Sequence, residues 1–268
     1  MFSLGELPDC AAASGNKPNL SLKIFALGRF SVVRGSEPIR FARKAQSRPL
    51  QLLKALIALG GREIAMERLA ATLWPDAEGD AAHKAFEIAL HRLRRLIGVD
   101  KALVLHDGLL GLDNRHCWVD VWAFEQAASQ TEALLKSTNK DTDELALLCA
   151  NVMALYHGHF LGREPPEPWS ISLRERLRSK FLRHLIDMAR FWEEAGRHEA
   201  AILCYQKGLE IDDLAEIFYQ RLMICYQYQG RRGEALAVYR RCRATLSLIL
   251  GITPAPATEA IRQSLLGA

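Results

Sequence analysis

Gly196-Arg197 returns as Gly230-Arg231 thirty-four residues later, and the same interval relates Ala201 to Ala235 and Tyr205 to Tyr239. A period of this length belongs to units of two helices. One pair leaves an apolar face that only the next pair can cover, so such a chain must stack repeats rather than close a single isolated unit. From Val119 onward the sequence carries helical patterns and almost no strand signal, and 119–268 reads as an all-α stack. Core packing alone explains the small and aromatic members of the period.

What precedes Val119 has a different balance. Residues 23–118 hold 16 basic and 10 acidic side chains, residues 119–268 hold 18 and 19, and residues 1–22 hold one and two. The positive excess therefore lies in a first domain. Lys and Arg supply the salt-sensitive, sequence-independent part of nucleic-acid affinity, so a basic domain joined to a neutral one suggests a polyanion reader attached to a second module. A length of 268 residues suits two domains of ordinary size. Residues 1–21 read as a flexible lead-in with Glu6 and Asp9 ahead of Lys17, unlike a secretion signal, and no apolar run approaches the roughly 18 residues of a membrane helix. The six cysteines (Cys10, Cys117, Cys149, Cys204, Cys225, Cys242) include no C-x-x-C pair, which suggests neither a zinc site nor a disulfide framework. The expectation is a reduced, cytoplasmic protein with no membrane association.

The first domain, 22–118, opens with β-branched and aromatic residues broken at Gly28 and at Arg34-Gly35, which predicts short antiparallel strands over Leu22–Val33 and a further one at Ile39–Phe41. Residues 47–59 place Leu50, Leu53, Leu56 and Ile57 at helical spacing with Gly60-Gly61 as a stop. A second helix is predicted over Met66–Trp74, and a third from Asp80 to Ile97, closed by Gly98. Leu103–Leu105 and Leu109–Leu112, joined through His106-Asp107-Gly108, predict a hairpin.

Turning 100° per residue, the third helix gathers Phe86, Ala89, Leu90, Leu93 and Ile97 into one apolar stripe. Lys84, Glu87, Ile88, His91 and Arg95 fall opposite, flanked by Arg92 and Arg94. A narrow basic face rich in hydrogen-bond donors is what reading the DNA major groove requires, because the groove admits one helix and offers acceptors such as guanine N7 and O6. An ordinary solvated helix face would carry the same residue types.

The run from Leu27-Gly28 through Trp74-Pro75-Asp76 to Ala85-Phe86-Glu87-Ile88-Ala89-Leu90-His91-Arg92-Leu93-Arg94-Arg95-Leu96-Ile97-Gly98 resembles the OmpR/PhoB-type winged-helix domain, in the version found in the Streptomyces antibiotic regulatory protein (SARP) family. The resemblance implies an α+β winged helix: an N-terminal sheet, three helices of which the third enters the major groove, and a hairpin wing that contacts the backbone. The wing tip here holds no Lys or Arg, leaving Arg115 and His116 as substitute wing contacts. The resemblance further implies tandem binding to direct repeats in double-stranded promoter DNA. It also places the acidic loop Pro75–Asp80, with Asp76 and Glu78, toward RNA polymerase, whereas helix capping by Asp80 is the structural reading of the same loop.

A 34-residue period is that of the tetratricopeptide (TPR) helix pair. Tyr156-His157-Gly158-His159-Phe160-Leu161, Pro168-Trp169, Leu173-Arg174-Glu175-Arg176-Leu177 and Leu250-Gly251-Ile252-Thr253-Pro254 resemble the bacterial transcriptional activator domain, an all-helical repeat module. Such a module implies a surface for a second copy of the chain or for an unidentified partner or ligand. His157-x-His159 lacks the further ligands of a structural metal site and reads as a loop. The basic run Arg174–Arg183 carries the apolar stripe Leu173, Leu177, Phe181, Leu185 and reads as a solvated helix face, and Trp169, Trp192, Tyr205, Tyr219, Tyr226 and Tyr239 read as core. No phosphate loop, G-x-S-x-G elbow or H-E-x-x-H motif is present, so neither catalysis nor a cofactor is expected. The reading is a sequence-specific DNA-binding transcriptional activator. A repeat adaptor whose winged helix contacts proteins is the alternative.

Overall fold

The computed structural model describes residues 21–41, 47–138 and 140–267; Cys10 and nearly all of the expected lead-in lie outside them. The described residues divide into two compact units, one of 21–24, 32–41, 47–56 and 61–118, the other of 25–31, 57–60, 119–138 and 140–267.

In the first unit, strands β1 (Leu22–Phe25), β2 (Ser31–Arg34), β3 (Glu37–Pro38) and β7 (Cys117–Val119) form a sheet in the order β3-β2-β1-β7. Leu22, Ile24 and Val32 are buried, as alternation within a half-buried sheet demands. The third strand lies two residues before its expected position: β2 turns through Gly35 at φ 60° and pairs Arg34 with Glu37 and Val33 with Pro38. Helix α1 (Ser47–Ala58) buries Leu52, Leu53, Ala55, Leu56 and Ile57, and α2 (Met66–Leu73) buries Leu69, Ala70 and Leu73. Helix α3 (Gly79–Ile97) follows, then a 3-10 turn at Asp100–Ala102 and the hairpin of β5 (Leu103–His106) and β6 (Leu109–Leu112). Asp107 and Gly108 both have positive φ, 49° and 75°, the two-residue type I′ connection whose twist matches antiparallel strands. A short strand β4 (Ile64–Ala65) adds to β6, giving the order β4-β6-β5.

The second unit is helical: α4 (Asp120–Lys136), α5 (Thr142–Leu155), α6 (Pro168–Glu194), α7 (His198–Ile211), α8 (Glu216–Tyr228), α9 (Arg232–Leu250) and α10 (Pro256–Gly267). The 34-residue period is a repeated turn. Gly196 and Gly230, each at φ 71°, end α6 and α8, and the next residue's N–H reaches back to a helix carbonyl, Arg197 to Trp192 and Arg231 to Tyr226, both at 2.8 Å. Only glycine adopts that left-handed conformation without strain, and the pattern is the Schellman stop. Arg197 then lies 4.8 Å from the Trp192 ring centre and Arg231 4.6 Å from that of Tyr226, a second pair of contacts at the same interval. Ala201, Ala235, Tyr205 and Tyr239 are buried, as are Trp192, Tyr219 and Tyr226.

Residues 25–31 pack with these helices. Leu27 bridges Phe160, the Gly28 N–H donates to the His159 carbonyl (2.9 Å) and the Leu161 N–H to the Ala26 carbonyl (2.8 Å). A side chain on Gly28, at φ 89°, would stand 3.0 Å from the His157 carbonyl oxygen, so the glycine permits this approach. His157 and His159 therefore sit in a structural loop, and among the described residues no group of three or more His, Cys, Asp or Glu side chains is placed to hold a metal.

The basic run on α6 differs from expectation. Its apolar stripe is buried, but the opposite side is not simply solvated. Arg174 donates to the carbonyls of Phe160 and Leu161 (2.9 and 3.0 Å), Arg176 pairs with Glu125, Arg178 with Asp212 (2.7 Å), and Lys180 donates to Ser129 (3.0 Å). Most of these cations hold helices together.

Candidate nucleic-acid interface

α3 forms because its apolar residues recur at three- and four-residue spacing while polar side chains fill the remainder. Ala82, Phe86, Ala89, Leu90, Leu93 and Ile97 are buried, and Gly98 terminates the helix at φ 64° with its N–H on the Arg94 carbonyl. Burying a side chain of the size of Phe86 or Leu93 contributes roughly 1.5–3 kcal/mol each, enough to fix which side of the helix faces outward.

The outward side holds Lys84, Glu87, Ile88, His91, Arg92 and Arg95, all exposed. Ile88 is 45% exposed despite being apolar, at the centre of this face. Glu87 is bridged by His83 one turn earlier at 3.3 Å. Lys84, Arg92 and Arg95 make no hydrogen bond or ion pair with any other described residue. Their donors are directed to solvent and open to an acceptor. Asp80 in the first turn and Arg94 and Arg95 in the last complement the helix dipole, which gives Arg95 a local role as well.

Arg94 departs from the face. It is half-buried and its Nη2 donates to the Leu103 carbonyl at 3.2 Å, tying the end of α3 to the start of the wing.

Asp76 and Glu78 are both exposed in the loop before α3. The N-cap of α3 is Glu78, with no side-chain capping bond, and Asp80 lies inside the first turn. The expected capping by Asp80 is thus replaced by a favourable charge near the helix N-terminus.

The wing exposes Val104, Leu105 and Leu109, with His106 bridged to Asp107 at 2.9 Å at the tip. Arg115 is exposed but donates through Nε and Nη2 to both carboxylate oxygens of Asp113 (Nη2–Oδ2 2.7 Å), and this fork holds Asp113 down at about 2. Its charge is locally cancelled. His116 is half-buried and its carbonyl accepts the Leu22 N–H at 3.2 Å. One cation that sequence reasoning passed over is Arg68 on α2, exposed and without an ion pair among the described residues. A lone arginine on a short helix carries no pattern that would single it out.

Residues 119–266 match the family model of the bacterial transcriptional activator domain. The chain is similar to the regulatory protein AfsR of Streptomyces griseus, 26% identical over 248 residues, an alignment spanning 92% of this chain and 25% of that protein. The chain thus spans about a quarter of the length of this curated relative. Among solved structures it is similar to Mycobacterium tuberculosis EmbR in complex with a low-affinity phosphopeptide, with a TM-score of 0.65, 20% identity, and coverage of 92% of this chain and 65% of that one. The likeness supports a winged helix followed by a helical activator module as the fold. Among the described residues no helix is long and apolar enough to cross a membrane.

Proposed function

The chain belongs to the bacterial transcriptional activator domain family, and from that premise we propose that it is a SARP-like transcriptional activator that binds promoter DNA in a sequence-specific way through α3. The observation that carries the reading is the outward face of α3, where Lys84, Arg92 and Arg95 are exposed and unpaired while the opposite face is anchored in a core. Guanidinium donors answer guanine N7 and O6, Ile88 suits a thymine methyl, and Glu87 can accept from a cytosine amine. Two such chains bind direct repeats about one helical turn apart, so that both recognition helices meet the same side of the duplex. The exposed carboxylates Asp76 and Glu78 meet RNA polymerase beside the DNA-bound helix. The repeat module holds a second copy of the chain or a further partner. With Arg115 held by Asp113, the wing contributes through shape and its apolar tip strands more than through charge.

The test is binding of the full chain to fragments of its own gene neighbourhood at two salt concentrations, followed by footprinting. Specific protection, with an affinity that falls steeply as salt rises, supports neutralisation of phosphates by the free cations. Failure to bind any fragment at low salt favours the adaptor that contacts proteins instead.

A further inference from the structure

The helices of the second unit pack in series: α5 on α4, α4 on α6, α6 on α7, α7 on α8, and α8 on α9 and α10. α5 therefore stands at the beginning of the series, and α9 with α10 at its end. A stack of helix pairs needs a polar outer face at each end to stay apart from other molecules. Both ends here expose leucine instead. Leu147 on α5 is 64% exposed and Leu248 on α9 87%, with Ile249, Leu250 and Ile252 exposed beside it.

The two ends carry opposite charge. Residues 141–162 hold the acids Asp141, Asp143 and Glu144 and no Lys or Arg, whereas residues 235–258 hold Arg240, Arg241 and Arg243 and no Asp or Glu. Asp141 is spent as the cap of α5, accepting the N–H groups of Asp143 and Glu144 at 2.9 and 3.1 Å. Asp143 and Glu144 are exposed and their carboxylates make no ion pair among the described residues. At the other end Arg240 donates to the Leu236 carbonyl of its own helix (3.3 Å), Arg241 lies 6.0 Å from the centre of the Tyr219 ring, and neither meets a carboxylate among the described residues. Each end holds what the other lacks.

Spacing aligns the two faces. With the buried sides of both helices turned into the unit, Asp143, Leu147 and Ala150 share one exposed strip of α5, and Arg241, Ala244 and Leu248 share one of α9. Laid parallel, the strips match position for position: Asp143 against Arg241, Leu147 against Ala244, Ala150 against Leu248.

We propose that the helical module docks end to end on a second copy of the chain, the α9 face of one copy on the α5 face of the other. The proposal rests on the reading of the module as the holder of a second copy, and it names the surfaces that meet. The opposite charges steer the two faces and set their register, and each leucine packs over an alanine that leaves room for it. The contact joins two different surfaces. It therefore relates copies in one direction, as direct repeats require, and not through the two-fold axis that matches a palindrome. Two helix faces of this length make a small interface of the transient class, so association away from DNA depends on concentration and on salt.

The test is sedimentation velocity of the full chain without DNA, up to about 0.1 mM, in about 0.1 M and about 0.5 M salt. The expected result is self-association that weakens severalfold at the higher salt. Asp143→Arg with Glu144→Arg, and separately Arg240→Glu with Arg241→Glu, should each weaken it at least about tenfold. Mixing the two reversed chains should restore it, because the unaltered arginine end of one meets the unaltered acidic end of the other and the reversed ends suit each other. Leu248→Asp should abolish association with an unchanged circular dichroism spectrum, since that side chain has no part in the core. The register is read by mixing Ala150→Cys and Leu248→Cys chains under mild oxidation: mass spectrometry should find a disulfide from position 150 of one copy to position 248 of the other. If a reversed chain fails to fold, this cross-link decides. A chain that stays monomeric, an association indifferent to both reversals, or a link between two 248 positions from Leu248→Cys alone would each overturn the proposal. All readouts are taken without DNA, so their failure leaves promoter binding standing. An association that survives both reversals keeps the second copy and removes these surfaces.

Discussion

Asp120, the first residue of α4, is 2% exposed, and a single oxygen of its carboxylate, Oδ2, accepts the N–H groups of Ala26 and Leu27 at 2.7 and 2.8 Å; Oδ1 is buried with no partner. Burial dominates over these hydrogen bonds and pushes the group from 3.8 up to about 6. An acid whose folded value is raised binds its proton more tightly when folded, so the stabilisation is complete below pH 3.8 and is lost as pH rises through about 6. A rise of roughly two pH units corresponds to about 3 kcal/mol, undiminished by solvent screening at this depth. Asp120→Asn keeps an oxygen for the two amides and removes the charge. Asp120→Ala orphans both amides, at about 1–3 kcal/mol each. Urea unfolding of the three chains between pH 4 and pH 7 should show the native chain losing about 3 kcal/mol relative to Asp120→Asn across that range. At pH 7, Asp120→Asn should lie within about 1 kcal/mol of the native chain and Asp120→Ala should be weaker by about 2 kcal/mol or more. If Asn is as damaging as Ala at pH 7, the acceptor role does not hold this site; if the native chain and Asp120→Asn run parallel from pH 4 to pH 7, no raised buried carboxyl is titrating; either result refutes the reasoning.

On DNA, Arg95→Ala should weaken specific binding by about 1–3 kcal/mol and non-specific binding less, whereas Lys84→Ala, as a phosphate contact, should weaken both alike; equal, small losses for the two variants on specific duplexes would reject this face as the reader. Inserting about half a helical turn, roughly 5 bp, between the two half-sites should abolish cooperative binding in mobility-shift titrations. Asp76→Ala with Glu78→Ala should lower in vitro transcription while DNA affinity stays within about twofold, because the Glu78 side chain makes no capping bond whose loss would loosen α3. Undiminished transcription from that double variant would remove the polymerase contact.

Local rules carried much of the fold. Asp107-Gly108 marked its own turn because both positions needed positive φ, and Gly98 marked a helix end for the same reason, while Gly196 and Gly230 were legible as a repeat and their role as helix ends came from the structure. The Phe86 stripe and the 34-residue interval were legible because packing selects residue type at fixed spacing. What stayed hidden depends on distant partners. β4 is two residues long and exists because β6 pairs with it across the register Ile64–Leu110, and β3 lies at Glu37–Pro38 because the turn at Gly35, not apolar alternation, sets its pairing. Gly28 looked like a strand break, yet its requirement comes from His157, 129 positions away.

Charge shows most clearly what three dimensions add to the candidate site. Counting arginines and lysines locates an excess, but a cation already holding a carboxylate or a carbonyl must give up that partner before it can meet a phosphate or a base. Arg115 would have to leave Asp113, and Arg94 the Leu103 carbonyl; Arg174, Arg176 and Arg178 are likewise engaged within the helical unit. Lys84, Arg92 and Arg95 face no such cost, and they share one helix whose opposite side is fixed by Phe86 and Leu93. Periodicity placed Arg94 beside that face only as a flank, and it could not report that a carbonyl nine residues ahead would draw the side chain inward. Among the described residues Lys84, Arg92 and Arg95 therefore differ from scattered exposed cations such as Arg68 in sharing one anchored helix, the setting in which we propose that donors discriminate bases rather than merely attract a polyanion.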